Sequence, residues 1–208
     1  MVPLIRDTEV QRGPQGSLLG FPTRNFTKRL WRFAKQSPWW HCSDLACRFD
    51  LRAPKGTCYL GTDELVGILE SIGPEIQNGI VSRAYVNERL LYSAKPDPKL
   101  RFADLTNRRA IKYRVTNELS TMTPYRIPQL WAQEFEKFLS GVSYRSRFDL
   151  SSEQRSVALF GPAGLSLRAS GQGKSVSYSV QMRLLNECGV SIAGPPPLSQ
   201  MIVYEDAE

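Results

Sequence analysis

The sequence predicts a single domain of mixed helix and strand, and three observations carry that prediction. Short stretches with strand-like alternation or β-branched and aromatic content recur at residues 30–34, 57–60 and 156–160. Two stretches place apolar residues at helical spacing: Leu65, Ile68, Leu69 and Ile72 in one, Trp131, Phe135, Phe138 and Leu139 in the other. With 208 residues, 41% hydrophobic and 23% charged, the chain is long enough to bury one substantial core.

Residues 1–28 hold few apolar positions in any period and carry Gly13, Pro14, Gly16, Gly20 and Pro22, so they read as an extended arm. In the strand at 30–34, Leu30, Arg32 and Ala34 face one side, and Trp31 and Phe33 the other. Arg32 then sits among apolar neighbours. A guanidinium there stays charged and calls for an anion, either a structural carboxylate or a ligand phosphate. Residues 37–54 are loop-like, with Trp39, Trp40 and His41 followed by Arg48, Phe49 and Asp50. Such interleaving suits a nucleotide clamp, and equally suits rings covering a core while Arg48 pairs with an aspartate.

The strand at 57–60 is broken by Gly61, after which Thr62 is expected to cap a helix with Asp63 and Glu64 in its first turn. Gly73 and Pro74 are expected to end that helix abruptly. Glu70 falls in the last turn, where the backbone dipole disfavours a carboxylate; by itself it reads as a solvated surface residue. Short strands follow at 79–85, 90–93 and 100–105, with Pro96 and Pro98 between the last two. Arg108, Arg109, Lys112 and Arg114 read as a solvated basic face. A helix over 128–140 with Gly141 as its cap is core packing. Ser146, between Arg145 and Arg147, suits anion contact but also a solvent-facing strand. From Gly171 onward, an amphipathic piece around 182–185, the Pro195 to Pro197 run and an acidic end read as a peripheral addition.

The net charge of +7 points to an anionic partner: a phosphate-bearing cofactor, a nucleic acid or an acidic protein. No apolar run approaches the roughly 20 residues that span a bilayer, and the first residues lack a secretory pattern, so the expected location is cytoplasmic. Four cysteines are too few and irregular for a disulfide framework. His41, Cys42, Cys47 and Cys58 do not form the two close pairs of a zinc motif, and no metal is expected.

Several stretches together resemble the RES-domain family, named for an arginine, a glutamate and a serine in that order. They are LWRF with Arg32, CRFD with Arg48, CYLGTDELVGILE with Tyr59 and Glu70, TPYRIPQLWAQEF, and GVSYRSRFD with Ser146 before a strand ending ALF. The likeness spans 28–162. Cys47 stands where the family usually has glycine before the arginine. The division expected on this basis is an N-terminal extension at 1–27, a RES domain over 28–193 and a Pro-rich acidic tail at 194–208.

The resemblance implies an α+β domain related to the ADP-ribosyltransferase fold, with a cleft for NAD as substrate and chemistry at the nicotinamide–ribose bond. It implies the toxin of a toxin–antitoxin pair, with an Xre-type antitoxin as partner and a homodimer within that complex. The implied catalytic residues are Glu70, Arg32 and Ser146, and the implied NAD-binding residues are Arg32, Arg48, Tyr59 and Ser146. A carboxylate stabilises positive charge on the ribose, forked guanidiniums suit a pyrophosphate, Tyr59 offers a ring face and Ser146 a hydroxyl. The alternatives are a protein ADP-ribosyltransferase and a basic nucleic-acid-binding module; no recognised nucleic-acid motif supports the latter.

Overall fold

The computed structural model describes residues 11–35, 39–150, 153–165 and 172–194. Among the described residues, eleven strands and four α-helices follow in chain order: β1 (Thr23–Arg24), β2 (Leu30–Ala34), β3 (Trp40–His41), β4 (Lys55–Gly61), α1 (Glu64–Ile72), β5 (Ile80–Ser82), α2 (Arg83–Asn87), β6 (Leu90–Ala94), β7 (Phe102–Asp104), α3 (Arg126–Glu136), β8 (Gly141–Tyr144), β9 (Ser156–Pro162), β10 (Gly164–Leu165), α4 (Tyr178–Cys188) and β11 (Ser191–Ala193). Seven strands form the main sheet in the order β1-β7-β8-β9-β4-β2-β6. It is antiparallel except between β7 and β8.

Alternation along the central strands divides the interior. Tyr59, Val142, Tyr144 and Ala158 face one core with Phe49, Phe21, Trp131 and Phe135 of α3, whereas Cys58, Leu60 and Val157 turn to the opposite face with Leu30, Trp39 and Phe102. A third core lies under α1, where Leu65, Ile68, Leu69 and Ile72 meet Phe33, Leu91, Val180 and Leu184. Burying side chains of this size contributes about 1.5–3 kcal/mol each, enough to hold a nine-residue helix that would be marginal alone.

The helix begins one residue later than expected. Asp63, not Thr62, is the cap, its carboxylate accepting from the Leu65 N–H at 2.8 Å, while the Thr62 hydroxyl is used by Gln154 and Arg155. Gly73 stays right-handed, so the chain tightens into a 3-10 turn over Gly73–Glu75 instead of stopping abruptly. Two glycines set how closely α1 sits on the sheet. A Cβ on Gly67 would stand 2.9 Å from the Trp31 carbonyl oxygen, and a Cβ on Gly61 would collide with the Gly67 backbone.

Other expectations shift. The stretch expected as a strand over 79–85 is β5 followed by α2. Helix α3 starts two residues earlier and ends four earlier than expected, and Gly141 opens β8, where the Ala158 carbonyl leaves no room for a Cβ. The segment read as peripheral contributes α4, whose Val180 and Leu184 lie in the core under α1, and β11, which pairs in parallel with β5. Residues 11–28 are anchored by buried Gln11, Leu18 and Phe21, and β1 extends the sheet. The Pro195 to Pro197 run and the acidic end lie outside the described residues. Among the described residues no helix is long and apolar enough to cross a membrane.

One irregularity of the sheet creates the site. Strands β2 and β4 pair at a single position, Trp31 with Gly61, although β4 is seven residues long. Lower on β4, Thr57 is bridged by Cys42, with N–O distances of 2.8 and 2.9 Å. The chain leaves β2, crosses to the β4 edge, and leaves a gap between the two strands.

Candidate active site

A cleft of about 380 Å³ opens at this gap, lined among others by Arg32, Phe33, Arg48, Tyr59, Glu70, Tyr125, Tyr144 and Arg147. It thus gathers Arg32, Arg48, Tyr59 and Glu70, four of the five residues singled out from the sequence. Ser146 is buried beside the cleft and is not in its lining.

Glu70 is carried by the last turn of α1 and is not a free surface carboxylate. Ser156 donates its hydroxyl to Oε1 at 2.5 Å, and Tyr144 donates to Oε2 at 3.4 Å. The two donors sit opposite one another across the β8–β9 ladder, so strand register delivers both hydroxyls to one point. Ser156 is fully buried, and burial with the Glu70 charge holds the Tyr144 phenol well above its ordinary range. Tyr144 therefore remains a proton donor. A carboxylate with both oxygens held presents its charge at a defined place in the cleft.

The arginines are held in different ways. Arg48 donates to the Met122 carbonyl at 2.5 Å and lies 4.9 Å over the Tyr125 ring; burial lowers its pKa without discharging it. The aspartate partner considered for it is absent from these contacts. Arg32 donates through Nη1 to the Trp40 carbonyl at 2.9 Å and to Cys58 Sγ at 2.6 Å. Of the two partners considered for Arg32, the structural carboxylate is not found among the described residues; a carbonyl and a thiol take donors instead, and Arg32 lines the cleft with no carboxylate bonded to it.

Tyr59 is fixed at its far end. Its hydroxyl accepts from the Phe49 N–H at 2.9 Å and donates to Asp50 at 2.8 Å, while the other Asp50 oxygen accepts from the Cys47 N–H at 2.8 Å. Burial pushes the Asp50 carboxyl up to about 6, against the lowering effect of those two donors. The ring of Tyr59 is thereby presented at a constant angle to the cleft.

The remaining reactive side chains take no catalytic geometry. His41 is buried, its Nδ1 lies 3.2 Å from the Trp39 carbonyl, and its ring fills the space that a Cβ on Gly161 would need. Burial raises the thiol pKa of Cys42 and Cys58 and pushes Cys47 up to about 12, so none is a ready thiolate. No cluster of three or more metal-ligating side chains exists among the described residues. Two larger hollows, of about 500 and 650 Å³, lie beside α3 and between α1 and α4. Neither includes Glu70 or the hydroxyls that hold it.

Sequence reasoning missed Ser156, Tyr144 and Asp50, and named Arg147 only as a flank of Ser146. Tyr144 and Arg147 lie in the same GVSYRSRFD stretch as Ser146, and Asp50 in CRFD beside Arg48, so proximity to a singled-out residue was the only available signal. Ser156 carried none.

No protein-family model and no curated protein matches the chain. Among solved structures, a chain in the crystal structure of the M. tuberculosis MbcT–MbcA toxin–antitoxin complex is similar over 66% of this chain and 76% of that chain, at 12% identity and a TM-score of 0.46.

Proposed function

We propose that this protein cleaves the nicotinamide–ribose bond of NAD, as a glycohydrolase or phosphorylase. The observation that carries the reading is Glu70: a carboxylate bound by Ser156 and Tyr144, lining a cleft that it shares with three arginines. As the bond between ribose C1′ and the nicotinamide nitrogen breaks, its electron pair leaves with nicotinamide, which departs neutral and needs no general acid. Positive charge develops on the ribose, where the fixed Glu70 charge is worth most. Water or inorganic phosphate then attacks C1′, and an attacking water releases its proton to solvent. The arginines supply forked donors for the pyrophosphate and the Tyr59 ring a face for a planar group.

The relation to the ADP-ribosyltransferase fold, the toxin role and the Xre-type antitoxin rest on the RES-domain resemblance of the sequence. A soluble enzyme that destroys NAD needs restraint in its own cell, and the net charge of +7 favours an acidic partner segment. The test is incubation of purified protein with NAD, with and without phosphate, resolving nicotinamide, ADP-ribose and phosphorylated ADP-ribose. Release of nicotinamide that stops in Glu70→Gln supports the reading. NAD left intact by the folded wild-type protein ends it. Transfer of label to added protein in place of free ADP-ribose redirects it to a protein ADP-ribosyltransferase.

A further inference from the structure

We infer that Arg147 is a substrate-binding residue of this cleft, contacting the phosphates of the dinucleotide, and that Ser146 acts through it as a positioning residue. The inference rests on the NAD reading and concerns which side chains grip the anion.

Arg147 lines the cleft, is exposed, and makes no hydrogen bond or ion pair with any described residue. Its guanidinium is nevertheless placed, lying 4.6 Å from the Phe148 ring centroid. The ring is itself seated. It covers Gly73 at the end of α1, where any Cβ would run into it, three residues after Glu70. The backbone is held too, because the Phe148 N–H donates to the buried Ser146 hydroxyl at 3.0 Å. Ser146 thus closes a local turn, Phe148 docks that turn on α1, and Arg147 is presented to the cleft that Glu70 also lines, with no described residue bonded to its donors. This contrasts with Arg32 and Arg48, each of which spends donors on backbone carbonyls. A guanidinium with free donors in a cleft is the one best able to form a bidentate bond to a phosphate.

Arg145 provides the control. It is exposed and two residues away, carries the same charge, and is absent from the cleft lining. Steady-state kinetics on NAD, with ADP-ribose as competitive inhibitor, compare wild type, Arg147→Ala, Arg147→Lys, Arg145→Ala and Ser146→Ala, each checked for folding by thermal melting. Arg147→Ala is expected to raise KM and weaken ADP-ribose inhibition about tenfold or more, the worth of a charge-assisted hydrogen bond, with kcat little changed. Lysine should recover only part of the loss, and Ser146→Ala should show a smaller rise in KM of the same kind. Arg145→Ala should match wild type. An unchanged KM in Arg147→Ala, or equal losses in the two alanine variants at 145 and 147, overturns the inference while leaving NAD cleavage standing. A folded wild-type protein that neither consumes NAD nor binds ADP-ribose overturns both.

Discussion

The hydroxyl of Ser156 stands 2.5 Å from Oε1 of Glu70, joining the first residue of one strand to the last turn of a helix 86 positions away in sequence. Losing a hydrogen bond to a charged group costs about 1.5–3 kcal/mol. If the bond orients the carboxylate for the transition state, Ser156→Ala should lower kcat on the order of tenfold or more with KM nearly constant. Glu70→Gln should fold normally and lose NAD consumption, since the amide keeps the volume and removes the charge. Full turnover in a folded Glu70→Gln protein would remove Glu70 from the mechanism.

Buried Arg48 and half-buried Arg32 should separate by readout. Arg48→Lys cannot reproduce a fork, and calorimetry should show weaker NAD binding with charge conserved. Arg32→Lys should weaken binding as well, and also lower stability by about 1 kcal/mol, because its bonds to the Trp40 carbonyl and Cys58 are internal. Wild-type affinity in both variants would place the pyrophosphate elsewhere.

Asp50 gives a pH signature. Its carboxyl is raised from 3.8 to about 6, so the folded state binds its proton more tightly than the unfolded state does. Stability from this group is complete below about pH 4 and is lost as pH rises through 6, a change of about 3 kcal/mol. The groups facing it are Tyr59, the Cys47 amide and Asp44. Denaturant titrations at pH 4, 5, 6 and 7 should therefore show Asp50→Asn gaining on wild type as pH rises. A constant difference between the two proteins across that range would contradict the assignment.

Gly67→Ala tests the helix seat. In an exposed helix alanine would stabilise by about 1 kcal/mol, but here its Cβ meets the Trp31 backbone at 2.9 Å, and overpacking of this kind costs about 1–3 kcal/mol. The melting temperature should fall by several degrees. A rise would mean that α1 can shift off β2 at no cost.

Most of this architecture was legible where side-chain period and terminator agreed. Strand β2 and the apolar face of α1 are where the sequence puts them, because alternation and helical spacing are local properties. The cap was misplaced because Thr62 and Asp63 are both good caps and only the strand-end pairing of Thr62 with Gln154 and Arg155 decides between them. Glycine misled at 141, where close approach of the Ala158 carbonyl, not a helix terminus, demands it. At the site, arginines, tyrosine and glutamate could be singled out one by one. The hydroxyls that hold Glu70 could not, since their convergence is set by the β8–β9 register, a non-local quantity.

The missing ladder between β2 and β4 has a mechanical consequence. Below Trp31 and Gly61 the described residues of the two strands pair no further, and side chains join them instead: Leu30 packs with Cys58 and Leu60, and Arg32 donates to Cys58 Sγ. The cleft is thus an opening in the sheet that side chains bridge, with Glu70 of α1 tied across it to Ser156 and Tyr144. A ligand held by Arg32 of β2 on one side and by Arg48 and Tyr59 on the other would add contacts where the rungs are absent. Occupancy should stiffen the whole molecule, slowing amide exchange in strands that the ligand never touches.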